Sequence, residues 1–290
     1  MRSSIGTILI AIANSLLITI PALLTLGGIC IWQRRIYTRK IDLYKSDLRH
    51  YQSKVDQHAR KSRYADCLSR INQIIIDILR FQVKNASAAE IRRTCESLVN
   101  SLSQILRDTT GKECAVCIKI LTYAQDEQPN DYRPKVITLC RDSASRSRER
   151  AAKHINHWTT KNTAFDTICK GSQPTFYSND LPSLKAEGHY FNTSWGIQFK
   201  RPVDGGLDRL DSHWNLPYQS TIVAGIFSGP DDPGPDELVG FLCVDNAEIN
   251  VFNLDYDIKL IESIANCLFC IVDRYTELKK LARNRNGAKS

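Results

Sequence analysis

The residues in this chain best suited to chemistry are its thiols. Ten cysteines are present, and two pairs, Cys114/Cys117 and Cys267/Cys270, have the CxxC spacing with which two thiolates grip one zinc ion. On a strand, residues i and i+3 point to opposite faces, and Cys114 to Cys117 falls in an alternating apolar run. Cys267 and Cys270 lie inside an apolar helical stripe. Buried, unmetallated cysteines are therefore expected and no metal site is assigned. The nine cysteines other than Cys30 are odd in number and scattered through apolar segments, which speaks for a reducing compartment and against a disulfide framework. Cys243 is central in a clear strand, but a nucleophilic thiol needs a neighbouring base or cation to depress its pKa, and none adjoins it in sequence. Asp180, Asp245 and Asp255 form a potential acidic set, and His189 and His213 potential haem ligands. Turn-capping aspartates and solvated loop histidines are the expected readings of both groups. No P-loop, GxSxG or HExxH motif occurs, so no enzyme is expected.

Several elements must position these groups. Ser87 to Asp108 carries Ile91, Cys95, Leu98, Leu102 and Ile105 at helical spacing. Glu113 to Tyr123 alternates as a strand and Lys135 to Cys140 reads as a second, across the polar turn Gln125 to Arg133. Ala151 to Thr167 reads as helix and Thr175 to Ser178 as a short strand. Leu181 to Pro217 has no clear period but holds Phe191, Trp195, Phe199 and Trp214, so a long functional loop is expected there. Ser220 to Phe227 and Leu238 to Asp245 are the clearest strands, and the intervening SGPDDPGPDE makes them antiparallel neighbours. Ile258 to Leu278 traces one apolar helical face, with Asp255 and Asp257 in its first turn and Lys279, Lys280 and Arg283 in its last, as the helix dipole favours.

The N-terminal part has a different character. From Ser3 to Trp32 thirty residues pass without a charge, and then Arg34, Arg35, Arg39 and Lys40 follow. A bilayer core of about 30 Å needs about 20 apolar residues, so residues 1–33 are read as a single transmembrane anchor. The basic flank puts the C-terminal body on the cytoplasmic side of the cell (inner) membrane. A cleaved signal peptide is disfavoured by the length of the apolar run and by the lack of a small-x-small site. The formal charge is +8, yet ten Lys or Arg and three Asp between Gln33 and Arg63, together with Arg2, account for all of it. The remaining body is neutral, so no nucleic-acid partner is expected. Residues 34–84 form a basic juxtamembrane segment in which Ile41, Leu48 and Val55 repeat every seven residues, with Tyr44 and Tyr51 three behind. Those are a and d positions of a short coiled coil, and a homodimer is expected from them. The alternative is one amphipathic helix packed on its own domain, with Leu68/Ile75 and Ile71/Ile78 in a shifted phase.

Tyr218 to Leu268 carries YQSTIVAGIF, a variable turn, ELVGFLCVDN and VFNLDYDIKLIESIANCL. This order resembles the C-terminal half of a GAF domain, and TFYSNDL at Thr175 to Leu181 looks like the strand and Asp that precede it. The resemblance implies an α+β body at 85–282, before a tail at 283–290. It would hold an antiparallel five- or six-stranded sheet with terminal helices on one face and a ligand cavity on the other. Gly240 within its strand would allow close approach of a helix or ligand, and Phe252 would staple the entry to the last helix. Candidate ligand-binding residues are Phe176, Tyr177, Asp180, Trp195, Phe199, Arg201, Tyr218 and Cys243. GAF domains bind diverse ligands or none, so the cofactor stays unassigned. The Asn-Lys-Phe-Asp-Glu set of the cyclic-nucleotide binders is represented only by Phe252 and Asp255. Cys140 and Cys169 lack the context of a bilin attachment site, and Cys243 could parallel the thiol of sulfoxide reductases that share the fold. The expected function is a membrane-anchored cytosolic sensor of a small molecule or protein, coupled to the membrane through a dimeric helix. The alternatives are a defence-type effector whose span perturbs the bilayer when a nucleotide signal binds, and a protein-only scaffold.

Overall fold

The computed structural model describes residues 54–123, 134–146, 157–193, 214, 216–228 and 237–287, with isolated helical positions between 35 and 46. The expected anchor lies outside the described residues, as do Ile41, Tyr44, Leu48 and Tyr51 of the expected dimer seam. Among the described residues no helix is long and apolar enough to cross a membrane. The chain divides into two compact units, 1–62 and 63–290. In the first, residues 54–62 are helical and Val55 is exposed.

The second unit opens with a helix at 63–80 (α1), which buries Cys67, Ile71, Ile74 and Ile78 in the main core and leaves Leu68 and Leu79 exposed. Steps of three and four place those four on one stripe, so within this unit the helix packs on its own domain. Next comes α2 (Ala88–Thr110), which begins in a capping box: Ser87 Oγ accepts from the Glu90 amide and the Glu90 carboxylate accepts from the Ser87 amide. It ends at Gly111, whose φ of 74° is a left-handed cap that glycine adopts without strain.

Six antiparallel strands form one sheet: β1 (Cys114–Tyr123), β2 (Pro134–Arg141), β3 (His157–Trp158), β4 (Thr175–Ser178), β5 (Ser220–Phe227) and β6 (Leu238–Asn246), in the order β3-β2-β1-β6-β5-β4. The short helix α3 (Thr163–Cys169) precedes β4 and α4 (Leu181–Ala186) follows it. After β6 a π-turn (Leu254–Ile258) leads into α5 (Lys259–Cys267) and α6 (Phe269–Gly287). Helices α1, α2, α5 and α6 all pack on one face, against Val116, Ile118, Ile120, Ile222, Ile226, Leu242 and Val244. The other face carries α3 over Cys117, Val223, Phe241 and Cys243, and α4 beside Phe176. β5 and β6 are buried on both faces, hence their near-continuous apolar sequence.

Four expectations change. Of the helix expected over Ala151 to Thr167, the described residues are helical from Thr163, where Asn162 caps the start by accepting from the Ala164 and Phe165 amides, and β3 occupies 157–158, while 151–156 lie outside the described residues. The stretch expected to be loop from Leu181 contains α4, started by the Asp180 cap with Pro182 in its first turn. The last helix is broken at Leu268 into α5 and α6. At Gly240 the close neighbour is neither helix nor ligand but the adjacent strand: an added Cβ would sit 2.3 Å from the Lys119 carbonyl oxygen. A backbone atom cannot swing away, so Gly240→Ala is expected to cost about 1–3 kcal/mol of unfolding free energy, read as a lowered denaturant midpoint.

Candidate functional site

The sheet face opposite the terminal helices is built by register. Arg141 pairs with Cys117 across β1 and β2, and Cys117 pairs with Cys243 across β1 and β6. Cys243 pairs with Val223 and Val223 with Phe176. Directly opposed residues share a face, so Arg141, Cys117, Cys243, Val223 and Phe176 form one row across five strands. One step along the strands lie Asp245, Thr221 and Ser178, where Thr221 Oγ1 donates to Asp245 at 2.8 Å. One step the other way lie Lys119, Phe241 and Gly225.

Helix α3 covers the second of these rows. Phe165 stacks on Phe241 with centroids 4.6 Å apart, and Lys119 Nζ lies 5.8 Å from the Phe165 ring centre. Beside the first lies an aromatic wall in which Tyr190 packs between Phe176 and Trp214, at 6.2 and 6.4 Å. Asn192 ties it together, donating to the Tyr190 and Tyr218 hydroxyls at 3.0 and 2.8 Å, while Trp214 Nε1 donates to the Tyr218 carbonyl at 2.8 Å.

The electrostatics of the central row are asymmetric. The neighbouring Cys243 thiol favours the Cys117 thiolate, and Arg141 and Lys119 add positive charge, so Cys117 is lowered despite its burial. Burial and the same sulfur contact push Cys243 well up. Burial works against the Arg141 cation, but Cys117, Asp245, Cys243 and Tyr218 outweigh it and hold the guanidinium charged. Its Nε is buried with no hydrogen-bond partner among the described residues. A buried donor of this kind ordinarily finds an acceptor.

A second thiol pair lies on the helix side. Cys140 lies beside Cys95 and is pushed up by that neighbouring thiol and by burial. Cys114 is also on that side, where burial raises it from its ordinary 9 to about 11, and burial raises Tyr190 in the aromatic wall to about 12. Both groups are neutral when protonated, and the folded state holds their protons more tightly than the unfolded chain does. The stabilisation is whole below pH about 9 and is lost as pH rises through about 11 for the thiol. A two-unit shift corresponds to about 3 kcal/mol. Denaturant unfolding between pH 8 and 11 should show that decline, and Cys114→Ala should flatten it.

Of the expected site residues, the structure brings Phe176, Tyr218 and Cys243 together. Tyr177 points to the opposite face, as strand alternation requires, and its hydroxyl lies 3.4 Å from the Phe252 carbonyl. Asp180 is taken up in capping α4, where it accepts from the Ser183 amide and hydroxyl. Trp195, Phe199 and Arg201 lie outside the described residues, as does His213. Asp180, Asp245 and Asp255 do not form a set, since Asp255 is exposed on the π-turn. His189 faces Glu187 at the surface. The CxxC pair splits as its spacing predicts, with Cys114 in the helix-side core and Cys117 on the other face. Sequence reasoning missed Arg141, Cys117, Tyr190 and Asn192. Alternation along β1 and β2 indicates which side chains share a face, but the register that puts Arg141 beside Cys117, and Cys117 beside Cys243, is not written in either strand alone.

A single antiparallel sheet with the first and last helices of the body on one face is the sheet-and-helix arrangement implied by the resemblance at Tyr218 to Leu268. The fold is GAF-like. Solved structures similar to the chain include the GAF domain of a phosphoenolpyruvate-protein phosphotransferase from Acinetobacter, at 10% identity over 72% of this chain and 94% of that one, with a TM-score of 0.43. They also include a type II free methionine-R-sulfoxide reductase from Thermoplasma acidophilum, at 13% identity over 64% and 96% with a TM-score of 0.38. A third is the phycoerythrobilin-bound GAF domain of a cyanobacterial phytochrome, at 13% identity over 76% and 97% with a TM-score of 0.35. No family model and no curated protein matches the sequence. In the GAF-like body the row from Arg141 to Phe176 occupies the face away from the terminal helices.

Proposed function

We propose that the protein is a membrane-anchored sensor whose GAF-like body binds a small acidic molecule, a carboxylate or phosphate with an apolar portion, beside Arg141. The observation that carries this reading is the Arg141 guanidinium, set at the end of a thiol row with its buried Nε lacking an acceptor among the described residues. An anionic group would accept from that nitrogen, the Tyr190, Trp214 and Phe176 rings would cover the apolar portion, and the Tyr218 hydroxyl would fix its orientation. A largely apolar wall with a few placed polar groups is the usual composition of a small-molecule site.

The membrane half of the proposal rests on the charge-free run from Ser3 to Trp32 and its basic flank. The body would pass occupancy of the site to the anchor through α1 and the residues before it, as a homodimer joined along Ile41, Tyr44, Leu48, Tyr51 and Val55. In this reading Arg141 and the aromatic wall bind the ligand, and no substrate is turned over.

Native mass spectrometry of the full chain, purified from its own host in mild detergent, tests the ligand half. The expected result is an adduct of a few hundred daltons on the wild type that is absent from Arg141→Met. A bare wild-type mass, or an adduct retained equally by the variant, would count against the assignment. Cross-linking in membranes at Val55→Cys tests the dimer, which predicts a covalent pair of chains.

A further inference from the structure

The two thiol pairs of the body differ in one respect that matters for reactivity. Cys95 and Cys140 meet in the helix-side core, where the neighbouring thiol and burial keep Cys140 protonated. Cys117 and Cys243 meet on the other face, directly opposed in the β1–β6 ladder, with Arg141 paired to Cys117 from β2 and Lys119 two residues along β1. Directly opposed antiparallel residues have Cα atoms about 4.5–5.5 Å apart, inside the range of about 4.4–6.8 Å that a disulfide spans. The opposed Cβ atoms of such a pair are about 4.5–5.5 Å apart against about 3.5–4.5 Å across a disulfide, so the S–S bond forms with a local closing of the two strands by about 1 Å.

We propose that Cys117 and Cys243 are a peroxide-sensing pair that closes reversibly into a cross-strand disulfide, with Cys117 the attacking thiol and Cys243 the resolving one. Both are buried, so the oxidant must be small, and hydrogen peroxide is the class the site admits. The Cys117 thiolate attacks one peroxide oxygen, the O–O bond breaks, and the departing hydroxide takes a proton to leave as water. The Cys243 sulfur then attacks the resulting sulfenic sulfur, its own proton leaving with the hydroxyl as a second water as the S–S bond forms. Two thiols and one peroxide become one disulfide and two waters, with two electrons passing from sulfur to oxygen, and a dithiol reductant reverses the change. Arg141 and Lys119 favour the thiolate needed for the first step and would stabilise the departing hydroxide. The Cys95/Cys140 pair lacks a comparable cation and stays reduced.

Oxidation has a consequence on the same face. It removes the thiolate opposite Arg141, leaving the guanidinium with less negative charge around it. The thiol chemistry itself is independent of the ligand reading and is tested without any ligand.

The test treats the full chain in mild detergent with hydrogen peroxide, blocks remaining thiols with an alkylating agent under denaturing conditions, and maps peptides without reduction. The expected result is a Cys117–Cys243 linked peptide that disappears after dithiothreitol, with Cys95 and Cys140 recovered alkylated. In Cys243→Ser the linked peptide is lost and a 1,3-dione probe marks Cys117. In Cys117→Ser the probe does not mark Cys243. The exposed Cys270 reports that the oxidant was active. Recovery of Cys117 and Cys243 as free thiols while Cys270 is oxidised would overturn the proposal. So would equal oxidation of Cys95 and Cys140. The wild-type map decides the matter even if a variant fails to fold.

Discussion

Asp142→Ala is expected to destabilise the body by about 4 kcal/mol and to abolish ligand retention along with it. Asp142 is buried at the end of β2, where its carboxylate accepts from the Val116 amide at 2.7 Å, from the Ser145 amide at 2.9 Å and from the Ser145 hydroxyl. The Asp142 amide in turn donates to the Val116 carbonyl at 3.0 Å. Alanine strands three donors at once, and a buried donor without an acceptor costs about 1–3 kcal/mol. Against a total stability of about 5–15 kcal/mol that loss is large. The functional effect follows from position: Asp142 immediately follows Arg141 and clamps that end of β2 to β1, so its loss loosens the pairing of Arg141 with Cys117. Asp142→Asn keeps the volume and one acceptor oxygen and should fall between wild type and alanine in denaturant unfolding.

Asp257→Ala is expected to cost about 3 kcal/mol and to act on a different part of the body. Asp257 is fully buried in the π-turn before α5, where its carboxylate accepts from the Asn253 amide at 2.6 Å and from the hydroxyl of Tyr64 on α1. The Tyr64 ring also stacks on Tyr256, with centroids 5.2 Å apart. Net side-chain hydrogen bonds contribute about 0.5–1.5 kcal/mol each, and a buried group left without its partner costs about 1–3 kcal/mol more; alanine removes both of these bonds and leaves the Asn253 amide and Tyr64 hydroxyl without this acceptor. The start of α1 is held to the body by this contact and by Arg63, whose Nε donates to the Thr109 carbonyl at 2.9 Å. Hydrogen exchange should therefore report lost protection concentrated in residues 63–71, with the β1, β5 and β6 amides much less affected. Tyr64→Phe, which removes only the hydroxyl, should give the same pattern at smaller amplitude. If α1 carries the state of the ligand face toward the membrane, these two substitutions should uncouple it while leaving binding in place.

Local patterning made much of the body legible in advance. The alternation in β1, β5 and β6, the turn-rich stretch between the last two, and the apolar stripe of α2 each follow from a single element's period. The orientation of Cys114 and Cys117 to opposite faces followed from the same rule. What stayed hidden depended on two segments meeting. Tyr177 was grouped with Phe176 because both are aromatic and adjacent, whereas a strand sends neighbours to opposite faces. Asp180 looked like a polar anchor, but a helix start two residues from Ser178 consumes its carboxylate as a cap. Arg141 lay just past the strand read as Lys135 to Cys140 and was given no role, because its sequence neighbours Cys140 and Asp142 are engaged elsewhere, on the helix side and with the Val116 and Ser145 amides. Its partners Cys117, Cys243, Asp245 and Tyr218 come from three other segments, and only the registers of β1 with β2 and β6 assemble them. The break at Leu268 is likewise a tertiary feature, because the apolar face continues through it in sequence.

The central claim is that the face carrying Arg141, Cys117 and Cys243 is an anion-recognising ligand site. Its most direct measurement is the shift in unfolding temperature of the reduced full chain in detergent, against a panel of small phosphorylated and carboxylated metabolites, for wild type and Arg141→Met side by side. A ligand present at a hundred times its dissociation constant stabilises its target by about 2.7 kcal/mol, which is readily seen. The account predicts that at least one acidic compound raises the wild-type midpoint, that added salt weakens the shift, and that Arg141→Met is blind to the same compound. A panel in which no acidic compound shifts the wild type, or in which the variant responds as the wild type does, would contradict it.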